Sequence, residues 1–117
     1  MAVVKIKKLF LRAFVGYNDH EVGKLQDLII NIEMEYDSTA CRFTDSQLDA
    51  MDYKSITKEI VTVVENQNFN LIETVAQKIL DVIMKEKKEL RATVEVDKVH
   101  ALRFADSVSV TLSAIHG

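Results

Sequence analysis

The stretch Leu28-Ile29-Ile30-Asn31-Ile32-Glu33-Met34-Glu35-Tyr36 decides the fold. Leu28, Ile30, Ile32, Met34 and Tyr36 alternate with Ile29, Asn31, Glu33 and Glu35, the period-2 pattern of a strand whose two faces meet different surroundings. Toward the N-terminus, residues 3–15 alternate in the same way. Leu9, Leu11, Ala13 and Val15 fall on one side and Phe10, Arg12 and Phe14 on the other, with an irregularity expected near Lys7-Lys8. Gly16 opens a polar loop that runs through Lys24 and joins the two strands.

Toward the C-terminus the alternation stops. Residues 37–52 are polar and carry Asp45, Asp49 and Asp52 without a clear period. Ile56, Ile60, Val63 and Val64 then recur at helical spacing, which predicts a helix over 53–67. Residues 66–70 read as a turn, and Asn70-Leu71-Ile72-Glu73 as a capping box, with Asn70 at the N-cap and Glu73 at N3. A second helix turns Ile72, Val75, Ala76, Ile79, Leu80 and Ile83 inward, and 85–91 reads as a solvated helix end and loop. Two more alternating segments follow. Ala92, Val94 and Val96 alternate with Thr93, Glu95 and Asp97; Val108, Val110 and Leu112 alternate with Ser107, Ser109, Thr111 and Ser113. The order is β-β-α-α-β-β. It predicts a single α+β domain over 1–117, with an antiparallel four-stranded sheet and two helices on one face. The other face mixes Ser, Thr and charges with Ile29, Phe10 and Phe14. Such a sheet leaves two edges open, and edge-to-edge association into a ring would close them.

Composition bounds the rest. The chain has 117 residues, 48% of them hydrophobic and 28% charged, enough apolar surface to offset chain entropy. It has no proline where roughly six are usual, and three glycines, so linkers and elaborate loops have little place. A net charge of -3 argues against nucleic acid as a partner, because phosphate backbones select clustered positive charge. The longest run free of charged residues is the eleven from Ser107 to Gly117, about half of what a membrane-spanning helix needs. The opening Met1-Ala2-Val3-Val4-Lys5 lacks the apolar core of a signal peptide, and the single Cys41 has no partner. A cytoplasmic setting is expected.

The chemistry has few recognisable carriers. His20, His100 and His116 are not spaced as metal ligands, and no metal is expected. Gly16, Gly23 and Gly117 make no phosphate loop, and no nucleophile elbow surrounds a serine. What remains are polar residues at element boundaries: Glu21 in the first loop, Tyr53 opening the first helix, Glu73 opening the second, and Lys98 ending the third strand. Each has an ordinary structural reading as a surface charge, a packing residue or a cap.

Their order along the chain resembles the dihydroneopterin aldolase and epimerase family. The matching motifs are Gly16-Tyr17-Asn18-Asp19-His20-Glu21 with Gln26, Asp52-Tyr53, Asn70-Leu71-Ile72-Glu73, and Asp97-Lys98, spread across essentially the whole chain. The segment from Asp97 to Ser113, with His100-Ala101-Leu102-Arg103 inside it, looks like the epimerase branch, whereas the aldolase branch more often has proline after the lysine. The resemblance implies the tunnelling fold, in which copies of the unit join into a multi-subunit β-barrel. The family's usual assembly is an octamer of two tetrameric rings, with sites between subunits.

It also implies roles. Glu73 would anchor a pterin, helped by the backbone at Ile72. Lys98 would be the general acid/base, Glu21 would orient it, Tyr53 would relay a proton, and Gln26 would contact substrate hydroxyls. The implied reaction is epimerisation at C2' of the dihydroneopterin triphosphate side chain by retro-aldol chemistry, without metal or cofactor. The alternatives are the aldolase reaction, which releases glycolaldehyde and a hydroxymethyl pterin, and a non-catalytic pterin-binding protein. His100 and Arg103, just beyond Lys98, are candidates for holding the triphosphate; Arg103 has Asp106 and Glu95 as competing ion-pair partners.

Overall fold

In the computed structural model, which describes residues 1–86 and 89–116, the alternating stretch becomes the middle of a sheet. The elements in chain order are strands β1 (Ala2–Val15) and β2 (Leu25–Tyr36), helix α1 (Thr39–Thr44), a single 3-10 turn (Gln47–Asp49), helix α2 (Tyr53–Glu65), strand β3 (Asn68–Phe69), helix α3 (Ile72–Met84), and strands β4 (Glu89–Val99) and β5 (Ser107–Ile115). The sheet order is β3-β1-β2-β4-β5. The four long strands are antiparallel, as expected, and α2 and α3 lie against one face.

The irregularity near Lys7-Lys8 is a β-bulge. Ile6 pairs with Ile32 and Leu9 with Ile30, so β1 spends one more residue than β2 over that interval. Lys8 takes a left-handed φ of 54°, and its N–H donates to the Asn31 side chain at 2.9 Å. The extra residue reverses the strand's parity. Val4 and Ile6 before it, and Leu9, Leu11, Ala13 and Val15 after it, therefore all meet the core. That core is Leu28, Ile30, Ile32 and Met34 of β2 and Val94 and Val96 of β4, packed under Ile56, Ile60 and Val64 of α2 and Val75, Ile79 and Ile83 of α3. Each such aliphatic side chain contributes about 1.5–3 kcal/mol by leaving water.

Three details differ from expectation. The polar stretch before α2 holds α1 and the 3-10 turn. α1 buries no residue, so no apolar period marks it, and local bonds shape the segment instead. Thr39 donates to Asp37 through both its N–H (3.0 Å) and its hydroxyl (2.6 Å), and Thr44 donates to Asp49 at 2.7 Å. Second, α2 ends at Glu65, two residues before the expected helix end, and the expected turn contains β3, which pairs parallel with Phe14 and Val15 while Phe69 is buried. Third, β4 already starts at Glu89, so 85–91 is not all loop. Lys85 of that run pairs with Glu59 of α2, and Lys87 and Lys88 lie outside the described residues.

The molecule is long for its size. Its extents are 53 × 26 × 24 Å and its radius of gyration is 15.5 Å, against about 13 Å for a compact chain of this length. The outer edge of β1 is covered only at Phe14–Val15, and β5 is the other end of the sheet. Among the described residues no helix is long and apolar enough to cross a membrane.

Candidate active site

Three strand-end features bring the site together. β3 holds the start of α3 beside the end of β1, through its two paired residues and a Gly16 N–H bond to the Phe69 carbonyl at 2.9 Å. The loop after β1 therefore folds back next to Asn70–Glu73. Lys98 arrives from β4. It pairs with Leu28 on one side and Val108 on the other, and so shares the core-facing parity of Ala92, Val94 and Val96. A strand position that elsewhere carries a buried aliphatic here carries an ammonium, at the point where helix cover ends.

These pieces line a cleft of ≈ 320 Å³, with Gly16, Tyr17, Asn18, His20 and Glu21 from the loop, Asn70, Leu71, Ile72 and Glu73 from the start of α3, and Lys98, Ala101, Val108 and Val110 from the β4–β5 hairpin. Within it Lys98 donates to a Glu21 carboxylate oxygen, Oε2, as a nearly enclosed ion pair whose side chains are only 12% and 10% exposed. The Asn18 amide donates to the other oxygen, Oε1, at 2.8 Å. The Lys98 hydrogen bond holds the Glu21 carboxyl below the usual carboxylate range, against burial that pushes it up, with help from Asn18. The Glu21 carboxylate is thus ionised and fixed beside a proton donor.

The start of α3 differs from a capping box. The N-cap is Leu71, in extended conformation, and no side chain caps the helix, which leaves Glu73 at N2 rather than N3. Asn70 therefore does not serve as cap, and the Glu73 carboxylate is not spent on the backbone. It stays exposed in the cleft beside the first-turn N–H groups, which carry the positive end of the helix dipole. A planar ligand edge with adjacent donors fits a carboxylate in this setting, and neighbouring acceptors fit the N–H groups.

Of the residues singled out from sequence, Glu21, Glu73, Ile72 and Lys98 line the cleft together. Tyr53, Gln26, His100 and Arg103 do not. Tyr53 is 49% exposed and lines a separate groove with Gln47, Leu48 and Met51. Gln26 sits on β2 opposite Ala13. His100 has a left-handed φ of 61° and donates its N–H to the Asp106 carbonyl at 3.3 Å, closing the β4–β5 loop. Arg103 stands in that loop with its guanidinium 5.6 Å from the Phe104 ring centre, and no ion pair to Asp106 or Glu95 forms among the described residues. Asp97 turns to the opposite face of the sheet from Lys98, and its Oδ1 is buried without a hydrogen-bond partner. Asn18 had no assigned role in the sequence reading. No spacing rule marks it, because its partner is set by the turn it sits in.

Comparison with known proteins bears on the fold and the family. The family model described as FolB, dihydroneopterin aldolase, matches residues 4–113. The chain is 42% identical to the dihydroneopterin triphosphate 2'-epimerase of Escherichia coli (strain K12), over 96% of this chain and 93% of that enzyme. It is 27% identical to the dihydroneopterin aldolase of the same organism, over 96% of this chain and 92% of that one. The crystal structure of an E. coli dihydroneopterin aldolase in complex with neopterin superimposes with a TM-score of 0.91 at 26% identity, covering 97% of this chain and 99% of that chain. The α+β tunnelling fold is thereby shared across the length of the molecule, and the chain belongs to the dihydroneopterin aldolase family.

Proposed function

We propose that this chain is a dihydroneopterin triphosphate 2'-epimerase. The chemistry rests on the enclosed Glu21–Lys98 pair beside an uncapped helix start bearing Glu73. The choice of epimerase over aldolase rests on the 42% identity to the one against 27% to the other.

The Glu73 carboxylate accepts the adjacent N–H donors of the pterin edge, and the Ile72 backbone completes the contact. A base removes the C2'-hydroxyl proton, the C1'–C2' bond breaks, and its electron pair moves into the C6=N5 imine of the dihydropterin ring. The ring is the electron sink, so no Schiff base to the protein forms. Lys98 in its neutral amine form is that base: it takes the proton, becomes the ammonium and later gives the proton back, while Glu21 orients it. The retained aldehyde fragment turns its other face, the ring returns its electrons to form the bond again, and the proton returns to the new C2' alkoxide. C2' is inverted. If C1' is protonated and the aldehyde leaves, the outcome is the aldolase reaction.

Tyr53, exposed and outside the cleft of its own chain, fits a site completed by a neighbouring copy, as do the open sheet edges and the elongated shape. The assembly we propose is the octamer of two tetrameric rings. In it Tyr53 serves an adjacent subunit's cleft, and Gln26, His100 and Arg103 are placed to contact the substrate side chain and its triphosphate.

The test is product analysis. Incubated with dihydroneopterin triphosphate, the protein should yield the C2'-inverted product first, resolved by chiral-sensitive chromatography, and Lys98→Ala should abolish it. Hydroxymethyl pterin as the dominant early product would make the protein an aldolase. Full activity in Lys98→Ala would remove the mechanism.

A further inference from the structure

Glu21 lies in a seat built by its own loop. The Glu21 and Val22 N–H groups both donate to the Asn18 carbonyl, at 2.8 and 3.2 Å, which turns the chain back so that the Asn18 amide reaches Oε1 at 2.8 Å. The floor of the seat is Gly16. Its φ is +140°, and a Cβ there would lie 2.5 Å from Glu21 Cδ and 2.7 Å from Oε1, so the carboxyl rests directly on peptide backbone. One oxygen is thus held by Asn18, which leaves the other for Lys98. Asn18 is itself exposed and touches the cleft, so its side chain is not needed to fill a core.

We propose that Asn18 is a positioning residue of the reaction: its amide fixes the rotation of the Glu21 carboxylate so that Oε2 stays on Lys98 throughout the catalytic cycle. This rests on reading Glu21 and Lys98 as the acid–base pair. The other ionisable groups lining the cleft are Tyr17 and His20 of the same loop and Glu73 of α3, and none of them touches Glu21 through a hydrogen bond among the described residues.

The sign of the pH effect follows. The Lys98 bond first, and Asn18 after it, favour the ionised carboxyl. Without the amide the carboxyl moves back up toward its ordinary range, so more enzyme is inactive by protonation at a given acidic pH. The experiment is kcat and KM for dihydroneopterin triphosphate across the acidic and neutral range, in the full chain and in Asn18→Ala, Asn18→Asp and Asn18→Gln. Asn18→Ala should lower kcat about tenfold, with KM little changed and the acid limb shifted to higher pH. The isosteric Asn18→Asp, which adds a like charge, should shift the limb further. Asn18→Gln, which keeps an amide donor, should restore most of both. A raised KM or a lowered melting point with the limb in place would mean that Asn18 only staples the loop, and would overturn the proposal. Lys98→Ala measured alongside separates the two levels. If it abolishes turnover while the limb ignores Asn18, the Asn18 role alone falls; if it leaves turnover intact, the acid–base reading falls and takes this proposal with it.

Discussion

The two long helices begin in opposite ways. At α2, Asp52 caps the helix: Oδ1 accepts from the Ser55 N–H at 3.0 Å and Oδ2 from the Ser55 hydroxyl at 2.8 Å. At α3 the N-cap is Leu71, which offers no side-chain acceptor, and the carboxylate nearest the end, Glu73, sits at N2 and stays exposed. An uncapped start gives up about 1 kcal/mol of helix stability. The lesson lies in where the uncapped end points. It opens on the cleft that holds Glu21 and Lys98, so the N–H groups left bare there face ligand space, whereas the satisfied end of α2 faces a separate groove. One helix start is finished by its own side chain, and the other is left open to the cleft.

The largest test of that contrast is Glu73→Gln. Replacing an acceptor-only carboxylate by an amide sets an NH2 against the pterin's donors, and affinity for a dihydropterin should fall roughly ten- to a hundredfold, while the melting point holds because no cap is lost. Isothermal titration reads the first and calorimetry the second. A melting point that drops with affinity unchanged would make Glu73 structural after all.

A second test asks whether the start of α2 also reaches a cleft, but in another copy. Tyr53→Phe and Lys98→Ala chains, each inactive alone, should complement when unfolded together and reassembled. With random mixing about a quarter of the sites would pair an intact Tyr53 with an intact Lys98, and activity should recover toward that fraction. No recovery in verified mixed assemblies would place Tyr53 and Lys98 in one chain's site, or Tyr53 in none.

Most of the sheet and both long helices were legible, because burial imposes a period: β2 could be read residue by residue, and α3 in every buried residue but Val82. The bulge was legible too, since only a parity change lets Ile6 and Leu9 share a face. Elements that bury little were not. α1 has no buried residue, and β3 is two residues whose pairing depends on where β1 ends. In the site, Lys98 carried a signal that alternation alone reveals: after Ala92, Val94 and Val96 it is the next core-facing position, and a charge there demands an enclosed partner. The Asn18–Glu21 contact was invisible, because a side chain three residues from its partner in an irregular turn has no period to betray it. The Asn70 cap failed for a related reason: a capping box specifies residue types, while the one-residue shift to Leu71 is made by the β3 pairing just before it.

The smallest test concerns the cap that is present. Asp52→Ala should lower the melting point by a few degrees at neutral pH and leave dihydropterin affinity unchanged, the reverse of Glu73→Gln. The cap also sets a pH signature. The Ser55 N–H first, and its hydroxyl next, hold the Asp52 carboxyl below its ordinary range. A carboxyl depressed in the folded state contributes stability that is fully present above its unfolded pKa and disappears as pH falls through the folded one. The gap in melting point between the parent and Asp52→Ala should therefore be constant at neutral pH and shrink on acidification, while Asp52→Asn, which keeps an acceptor but no charge, should show a smaller gap with no acid decay. A gap that ignores pH would mean that the contribution at this end comes from the geometry of the turn rather than from the charge, and the contrast between the two helix starts would reduce to which one leaves its carboxylate free.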